Sequence, residues 1–583
     1  MRLLQCVRFA PYPIFPETTV ITSLADRLAR STVHRHLLFL TVSLLTIVII
    51  GYHFGTFDQA IHIPFLKKYA DPSLFPGDQF FELRHQHYSF FWFLFQPFYR
   101  LGILEPAMFV IHVLATHGTY WALWTLSEEL FHNPLASLLA VAAFVMPHIG
   151  FAGFPVFEFS LLNRTFVLPW LLWAIILFLQ RRFLWAFALA GAMYNLHVVS
   201  VNFVMAMFLF AGLREWRRIG WRALALGMVV FVVCALPVLI WKFGSSSDDL
   251  TARREWFDII ARGTLYNLFY LIAPYPHILF ITASGLSALA LFYIARRRHP
   301  SPEHDRTLTN FVYAALIILV VQILTAQWYP ATIIIQSQII RAGLFILIFG
   351  YVYFARYVAG RYQAGAAGGL DSGLRAAALI VSPLPPVTLL IWGMGQLVGS
   401  ARWRVALAAL SLLGLFAGTL WLVFGYRLWH PGIYIYARPT EWYKAQLWAK
   451  ENTPKDAVFI TPPHLWWLYE SDWRVFSERS TVSTHSELLE AAFAPEYMDY
   501  WKPRFEAVAP GALARFQGNF FENLDIVAGA YYSLATDDVL GVACAYNASY
   551  LVVEKPHLRD FPIVYENAGF VIYDLRSRQC ESG

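Results

Sequence analysis

Charged residues are scarce in this sequence. Only 14% of its 583 residues are Asp, Glu, Lys or Arg, whereas 58% are hydrophobic and the mean hydropathy is +0.50. In a soluble chain of this length, close to a quarter of the residues would be charged. A helix needs about 20 apolar residues to cross the hydrocarbon core of a bilayer, and such runs recur along the chain. The composition excludes an ordinary soluble protein and indicates an integral membrane protein with several spans.

Cysteine is scarce as well, with four residues in the chain: Cys6, Cys234, Cys544 and Cys580. None has C-x-x-C spacing, so the cysteines give no metal framework and no obvious disulfide scaffold. The net charge is only +6. Basic residues in a membrane protein mark the cytoplasmic ends of its spans, so this charge does not indicate a nucleic-acid partner.

The N-terminus lacks the small-residue cleavage site of a secretory signal. Its basic residues predict that 1–36 is a cytoplasmic segment and that 37–53, "LLFLTVSLLTIVIIGYH", is a retained first span. The apolar runs then predict a mainly α-helical, polytopic bundle over 37–427 with about 11–13 spans, short hairpins included. The later predicted spans are 106–126, 134–150, 164–180, a hairpin at 183–213, 219–243, 275–295, 307–329, 338–357, a second hairpin at 376–398, and 405–426. Residues 360–373, rich in Gly and Ala, predict a flexible inner connection.

A long polar segment, 54–105, follows the first span. With the N-terminus inside, this segment lies outside the membrane. Its aromatic stretch 88–100, "YSFFWFLFQPFYR", is short and contains Pro97 and Arg100, so it predicts interfacial helices and not a further span. His85 and His87 form an H-x-H pair that suits zinc, but no third ligand accompanies them, and a polar cluster at the interface is the simpler interpretation.

The pattern changes after Tyr426. "TEWYKAQLWAKENTPKDAVFITPP" predicts an amphipathic helix, a turn and a strand. "ASYLVVEK" and "GFVIYDL" predict two further strands, with "PIVYEN" between them. These elements predict a small α/β domain over 438–583, which the span count places outside the membrane.

This layout resembles the GT-C superfamily of integral-membrane glycosyltransferases, which use polyprenyl-phosphate-linked sugar donors. "WYKAQLWAKENTPKDAVFITPP" is similar to the start of their soluble domain. "DQAIHIPFLKKYADPSLFPGDQF" and "YLVVEKPHLRDFPIVYENAGFVIYDL" resemble a bacterial group of uncharacterised membrane proteins that share a domain of unknown function. The resemblance implies a glycosyltransferase in the bacterial plasma membrane, with the lipid bilayer and a polyprenyl-phosphate sugar as its partners.

Transfer from a lipid phosphate needs a carboxylate that activates the acceptor. The resemblance assigns this role to Asp58. The second acid common in the family is absent, because Gln59 follows Asp58. The resemblance therefore does not decide whether a divalent metal ion is a cofactor. Asp58 is also placed to cap the helix "QAIHIPFLKKY". Asp78 and Glu158 are the further catalytic candidates, and a turn in "FPGDQF" accounts for Asp78 equally well.

The substrate-binding candidates lie in the predicted outer loops or at outer span ends: His62, Arg164, His197, Gln338 and Arg341. Arg164 suits a phosphate because a guanidinium forms paired hydrogen bonds, but it can also extend from a helix end to the interface. Arg341 lies just inside a predicted span, where a charge indicates either a functional site or a structural ion pair. His197, at a hairpin tip, is also explained by a helix-end hydrogen bond. We expect these sites to converge with Asp58 on one outward-facing pocket.

Two other classes of function fit parts of the pattern. A lipid or solute transporter would show repeats of inverted topology and helices broken at the midplane, and no clear repeat is present. A GT-C-like scaffold without catalysis, acting in envelope assembly, fits the missing second acid after Asp58.

Overall fold

A computed structural model describes residues 18–148, 151, 155–245, 254–263, 277–328, 331–364, 377–380, 382, 384–397, 400–424, 431–466, 470–517 and 520–578. Helices dominate the chain up to residue 424, and most of the strands lie near the C-terminus. The predicted layout, a helical membrane bundle followed by a small α/β domain, is confirmed.

The helices up to residue 424 are, in chain order, α1 (Thr18–Arg30), α2 (Thr32–Ile50), α3 (Gln59–Ala70), α4 (Gln96–Arg100), α5 (Leu104–Phe131), α6 (Pro134–Ala143), α7 (Asn163–Leu179), α8 (Phe183–Tyr194), α9 (Val198–Arg214), α10 (Trp216–Ile219), α11 (Trp221–Ser245), α12 (Arg254–Gly263), α13 (His277–Arg298), α14 (Asp305–Trp328), α15 (Thr332–Gln336), α16 (Gly343–Ala364), α17 (Pro385–Leu397) and α18 (Ala401–Phe424). Short 3-10 helices occupy Gln79–Gln86, Trp92–Phe95 and Ile339–Ala342. One large apolar core joins helices across this bundle. A Cβ at Gly350 of α16 would lie 2.6 Å from the Ala288 carbonyl oxygen of α13, so glycine permits this close crossing.

Several of these helices are suited to a bilayer. Within the described residues, four are long and apolar enough to cross one: Thr32–Ile50, Trp221–Gly244, Asp305–Thr325 and Ile339–Gln363. Four more apolar helices are shorter, among them α8 and α9, which form the predicted hairpin at 183–213. The chain is an integral membrane protein, and the total of about 11–13 spans stays a prediction.

Two sequence predictions need correction in this bundle. Among the described residues of the span predicted at 134–150, the helix is the ten-residue α6, which ends at Ala143. The connection predicted at 360–373 begins as helix, because α16 continues to Ala364. Gly360 serves close packing there: a Cβ would lie 2.5 Å from the ring of His299. The remainder of this connection, and part of the hairpin predicted at 376–398, lie outside the described residues.

The aromatic stretch 88–100 is not a continuous helix. It contains the short helices Trp92–Phe95 and α4, as the interfacial interpretation predicted. Phe91, Trp92 and Phe95 are buried in a core that also contains Val475 and Phe476 of the C-terminal domain. The 54–105 segment therefore packs between the helical bundle and the C-terminal domain.

The C-terminal domain surrounds a five-stranded sheet. Its helices are α19 (Glu441–Asn452), α20 (Trp473–Ser477), α21 (Glu487–Phe493), α22 (Tyr497–Val508), α23 (Ala512–Arg515), α24 (Phe520–Tyr532) and α25 (Thr536–Tyr546). The strands of the whole chain are β1 (Tyr52–His53), β2 (Ile433–Tyr434), β3 (Val458–Ile460), β4 (Ser480–Thr481), β5 (Tyr550–Glu554), β6 (Ile563–Glu566) and β7 (Phe570–Asp574). Their order in the sheet is β4-β3-β5-β7-β6, with β3 parallel to β4 and β5, and β7 antiparallel to β5 and β6.

Local sequence explains the main elements of this domain. Thr440 caps α19, since its hydroxyl accepts a hydrogen bond from the Tyr443 amide at 3.1 Å. β5 ("YLVVE") and β7 ("FVIYD") consist largely of β-branched and aromatic residues, and four of the five residues in each are buried. Separately, β1 pairs in parallel with β2, which joins the end of the first span to the beginning of the C-terminal domain.

Candidate functional site

Arg164 is the centre of a cluster of charges. It lies in the first turn of α7, where its Nε and Nη2 donate to the two carboxylate oxygens of Glu158 at 2.6 and 2.5 Å. Its Nη1 donates to Asp58 Oδ2 at 2.6 Å. The paired bonds to Glu158 hold the plane of the guanidinium. The segment around Glu158 and Arg164 therefore meets the 54–105 segment at one arginine.

Asp58 does not act as a helix cap. It precedes α3 with helical backbone angles, and its side chain makes no capping hydrogen bond. The capping alternative is wrong because the carboxylate turns to Arg164 instead. Burial alone would raise the pKa of Asp58, but the charge and hydrogen bond of Arg164, together with the Arg341 and His62 charges, lower this pKa below its usual value. Asp58 is therefore ionised at neutral pH.

A cavity opens beside this cluster, with a volume of about 560 Å³ that includes space open to solvent. Its lining residues are Pro155, Val156, Glu158, Arg164, Thr165, Leu168, Leu171, Ser200, Phe203, Arg341, Leu344 and Phe345. Most of these side chains are apolar, and the charged ones are Glu158, Arg164 and Arg341. The cavity thus places charged groups against an apolar wall.

Arg341 reaches the cavity through a break in the helical bundle, and Gln338 lies at that break. Gln338 has a left-handed backbone, with φ of 43°, and is buried between α15 and the turn Ile339–Ala342. The carbonyl of Gln338 accepts a hydrogen bond from the amide of Arg341 at 3.0 Å, and Gln322 Oε1 accepts one from the amide of Ile340 at 2.7 Å. The break brings Arg341 to the cavity wall, as predicted, and Gln338 shapes the backbone behind it.

His197 is the N-cap of α9. Its ring accepts a hydrogen bond from the Ser200 amide at 3.3 Å, and Nδ1 lies 2.7 Å from Ser200 Oγ. The helix-end alternative is confirmed for this residue. Ser200 itself lines the cavity, so His197 contributes by ordering the first turn of α9.

A second polar group adjoins the cluster. His62 lies one helical turn after Asp58, and its ring is stacked on Trp92 with centroids 4.9 Å apart. The ring of His87 is 5.6 Å from that of His62. His87 Nε2 is hydrogen-bonded to Glu490 Oε2, which belongs to α21 of the C-terminal domain.

Asp78 does not line the cavity. Its Oδ2 accepts a hydrogen bond from Arg474 Nε at 2.9 Å, and its Oδ1 accepts one from the Phe80 amide at 3.1 Å. Arg474 Nη1 also donates to Glu487 Oε1 at 3.0 Å, in surroundings that are almost fully buried. The bond to Phe80 is the turn contact expected after Pro-Gly, and the ion pair belongs to the contact between the 54–105 segment and the C-terminal domain.

Among the described residues, three ion pairs join the 54–105 segment to the C-terminal domain, Lys67–Glu478, Asp71–Lys455 and Asp78–Arg474, and a hydrogen bond joins His87 to Glu490. Two of these pairs, Lys67–Glu478 and Asp78–Arg474, have N–O distances of 2.9 Å, and every side chain in them is less than a tenth exposed. Sequence reasoning missed Arg474, Glu478 and Glu490. For Arg474 and Glu478, the signal available was a run of charges, "ESDWRVFSER".

Metal-binding groups are not apparent among the described residues: no three His, Cys, Asp or Glu side chains are grouped to hold an ion. Asp58 and Glu158 both bind Arg164, so their oxygens are already engaged by a cation. The side chain of His85, one half of the H-x-H pair, lies outside the described residues.

Comparison with known proteins links part of the chain to a family. Residues 440–508 match a domain of unknown function, DUF6798. This segment contains α19 to α22, and with them Arg474, Glu478 and Glu490. None of the curated proteins matches the chain.

Among solved structures, the chain is similar to ArnT from Cupriavidus metallidurans bound to undecaprenyl phosphate. The identity is 13% and the TM-score 0.45, over 93% of this chain and 98% of that chain. The likeness therefore extends over nearly the whole length of both proteins, and at this identity and TM-score it carries no information about activity.

Proposed function

We propose that this protein transfers a sugar from a polyprenyl-phosphate-linked donor to an acceptor on the outer side of the membrane. The convergence of Glu158, Arg164 and Arg341 on one cavity, with Asp58 bound to Arg164, supports the proposal. A lipid phosphate needs cations beside an apolar surface, because its headgroup is anionic and its chain is hydrocarbon. The cavity offers both.

The two arginines act on the phosphate. When the sugar leaves the donor, negative charge develops on the phosphate oxygens, and guanidinium groups held in position stabilise it. The carboxylates of Glu158 and Asp58 hold Arg164 in place, so it does not reorganise during the reaction. Arg341 enters from the break before α16 and is the second phosphate ligand.

The orientation of the chain is part of the proposal. The N-terminal segment 1–36 lies in the cytoplasm, and the 54–105 segment and the C-terminal domain lie outside. Support comes from the basic residues at predicted inner span ends and from Cys544, which is disulfide-bonded. The disulfide was not expected from the scattered cysteines, and disulfides persist in oxidising compartments.

The test uses the purified full-length protein and labelled polyprenyl-phosphate sugars, beginning with undecaprenyl carriers. Wild-type protein releases polyprenyl phosphate and transfers the label. Arg341→Gln lowers the rate at least about 100-fold, the usual cost of losing one group that stabilises developing charge. Arg254→Gln, which changes an arginine side chain that is 88% exposed on α12, leaves the rate unchanged.

Other outcomes distinguish the alternatives. A transporter moves the labelled lipid between the two leaflets of a vesicle without cleaving it. A scaffold neither cleaves nor moves it. Either result, or full activity of Arg341→Gln, contradicts the proposed reaction at this cavity.

A further inference from the structure

The end of the helical bundle remote from the cavity carries a separate cluster of charges. α7 and α9 both begin beside the cavity, since Arg164 lies in the first turn of α7 and Ser200 in the first turn of α9. α9 has 17 residues and is therefore about 25 Å long, which is most of the thickness of the hydrocarbon core. It ends at Arg214. The groups around Arg214 thus lie on the other side of the membrane from the cavity.

The chain reverses at this end through α10, in what we call the α9–α11 turn, residues 214–222. Glu215 is 2% exposed and accepts a hydrogen bond from Asn310 of α14 at 2.8 Å. Gly220, with φ of 90°, ends α10 and permits the reversal into α11. A Cβ at Gly212 would lie 2.7 Å from Leu224 Cδ2, so glycine lets α9 and α11 pack closely beside the turn. The α9–α11 turn is therefore fixed on the bundle.

Three arginines of the α9–α11 turn have no carboxylate partner. Arg214, Arg217 and Arg222 are exposed, and none of them forms an ion pair with an acid in the described part of the chain. The acid of the turn, Glu215, is buried and pairs with Arg218 at 3.3 Å. The exposed surface of the turn is therefore positively charged.

Aromatic rings lie beneath two of these arginines. The Arg217 guanidinium is 5.3 Å from the ring centroid of Trp216, and the Arg222 guanidinium is 5.7 Å from that of Trp221. Both rings are themselves exposed, Trp216 to 52% and Trp221 to 63%. Tryptophan concentrates at the headgroup level of a bilayer, because indole combines an apolar body with a polar N–H. The rings therefore hold both guanidinium groups at the depth of the lipid phosphates.

We propose that the α9–α11 turn binds the headgroup of an anionic phospholipid, in the leaflet opposite the cavity. A guanidinium donates paired hydrogen bonds to phosphate oxygens, and the exposed tryptophans contact the glycerol and the upper acyl chains. Charge selects the lipid. The ammonium group of a zwitterionic lipid is repelled by the three arginines, whereas phosphatidylglycerol is negative overall and is attracted. This site is independent of the sugar transfer proposed above.

Native mass spectrometry of the full-length protein in detergent tests the site. The protein is titrated with dioleoylphosphatidylglycerol or with dioleoylphosphatidylcholine, and the affinity for the first bound lipid is measured. The wild-type protein binds the phosphatidylglycerol more tightly. Combining Arg217→Gln with Arg222→Gln weakens this binding about 25-fold, since each basic residue near the membrane surface contributes about fivefold. The affinity for phosphatidylcholine stays unchanged. Both side chains are exposed, so the circular dichroism spectrum of the double variant matches that of the wild type.

Arg181→Gln combined with Arg182→Gln is the matched control. These two arginines are exposed between α7 and α8, at the same end of the bundle. The control therefore removes the same charge from the same side of the membrane and leaves the α9–α11 turn intact. We expect its affinity for phosphatidylglycerol to equal that of the wild type.

A second measurement needs no variant. Salt screens exposed charges, so raising the ammonium acetate concentration to about 0.5 M weakens the binding of phosphatidylglycerol and not that of phosphatidylcholine.

Three results would overturn the site. The first is equal affinity of the wild-type protein for the two lipids, or phosphatidylglycerol binding that salt does not weaken. The second is wild-type affinity for phosphatidylglycerol in the variant at 217 and 222. The third is an equal loss in the two double variants, which would mean that basic residues attract anionic lipid wherever they lie on this face.

Discussion

At the residue scale, Arg164 shows how the surroundings of a side chain decide its role. A helix-end arginine extends to the interface when its guanidinium is solvated. Here all three of its nitrogens bind carboxylates, and the side chain is only 15% exposed. In the same way, Asp58 binds Arg164 and makes no capping hydrogen bond to the amides of α3. Both residues belong to one electrostatic unit.

Replacing Asp58 tests that unit. Asp58→Asn removes the charge that holds Arg164 Nη1 and leaves the backbone of α3 unchanged, since no cap is lost. A displaced catalytic group costs about 100-fold in rate, so we expect a folded variant with sugar transfer reduced by about that factor. Initial rates with labelled donor, alongside the circular dichroism spectrum, provide the measurement. Transfer at the normal rate would show that Arg164 needs only Glu158.

At the element scale, α20 and α21 carry the contact between the C-terminal domain and the 54–105 segment. Arg474 of α20 is 2% exposed and pairs with Asp78 and Glu487. Its guanidinium also lies 4.7 Å from the ring centroid of Phe80. Burial raises the pKa of Glu487, and the Arg474 charge opposes the rise. One cation thus compensates several carboxylates inside the interface.

Removing that cation is expected to destabilise the protein. Arg474→Gln leaves buried carboxylates without a counter-charge, and breaking a buried pair in this way costs about 3–5 kcal/mol. The defect shrinks as the pH falls, because protonation neutralises the carboxylates. Thermal unfolding in detergent between pH 5 and pH 8 measures both effects.

Asp78→Asn provides the comparison at this interface. We expect a smaller loss of Tm, since Glu487 still compensates Arg474, and an unchanged rate per folded molecule. If this variant stays folded and yet loses sugar transfer, Asp78 is a catalytic residue, as the sequence allowed.

At the scale of the whole molecule, the C-terminal domain packs against the 54–105 segment, which carries Asp58. One apolar core includes Phe65 and Phe80 of the 54–105 segment, Trp256 of α12 and Trp501 of α22. The ion pairs Lys67–Glu478, Asp71–Lys455 and Asp78–Arg474, the His87–Glu490 hydrogen bond and the β1–β2 pairing add to this contact. The domain and the 54–105 segment must therefore lie on the same side of the membrane.

Cysteine labelling tests the side. The two variants are made in a background without the free cysteines. Glu303→Cys replaces a side chain that is 83% exposed, and Leu558→Cys replaces a residue that is 59% exposed. In intact cells whose outer membrane is made permeable, an impermeant maleimide labels position 558 and not position 303, which lies next to the basic end of α13. Labelling of 303 alone would reverse the orientation.

The sequence determined the features that arise from neighbouring residues. Long apolar runs predicted the membrane bundle, because a helix that crosses the hydrocarbon core satisfies its own backbone hydrogen bonds and needs apolar side chains. β-branched runs predicted β5 and β7, and a threonine before "EWYKAQLWAKEN" explains the start of α19. The apolar runs also predicted that Asp58 follows the first span and that Arg341 lies just inside a later one. Local physics failed where packing decided the outcome, as at Gly360, which packs against the ring of His299.

Only the tertiary structure decided the partners of the charges. Asp58 and Arg164 are 106 residues apart, and His87 and Glu490 are 403 apart. Nothing local distinguishes an acid that binds one arginine from an acid that binds another, since any buried carboxylate gains from any nearby cation. A buried charge has lost its water and needs a counter-charge nearby. The fold determines which oppositely charged side chain lies within reach.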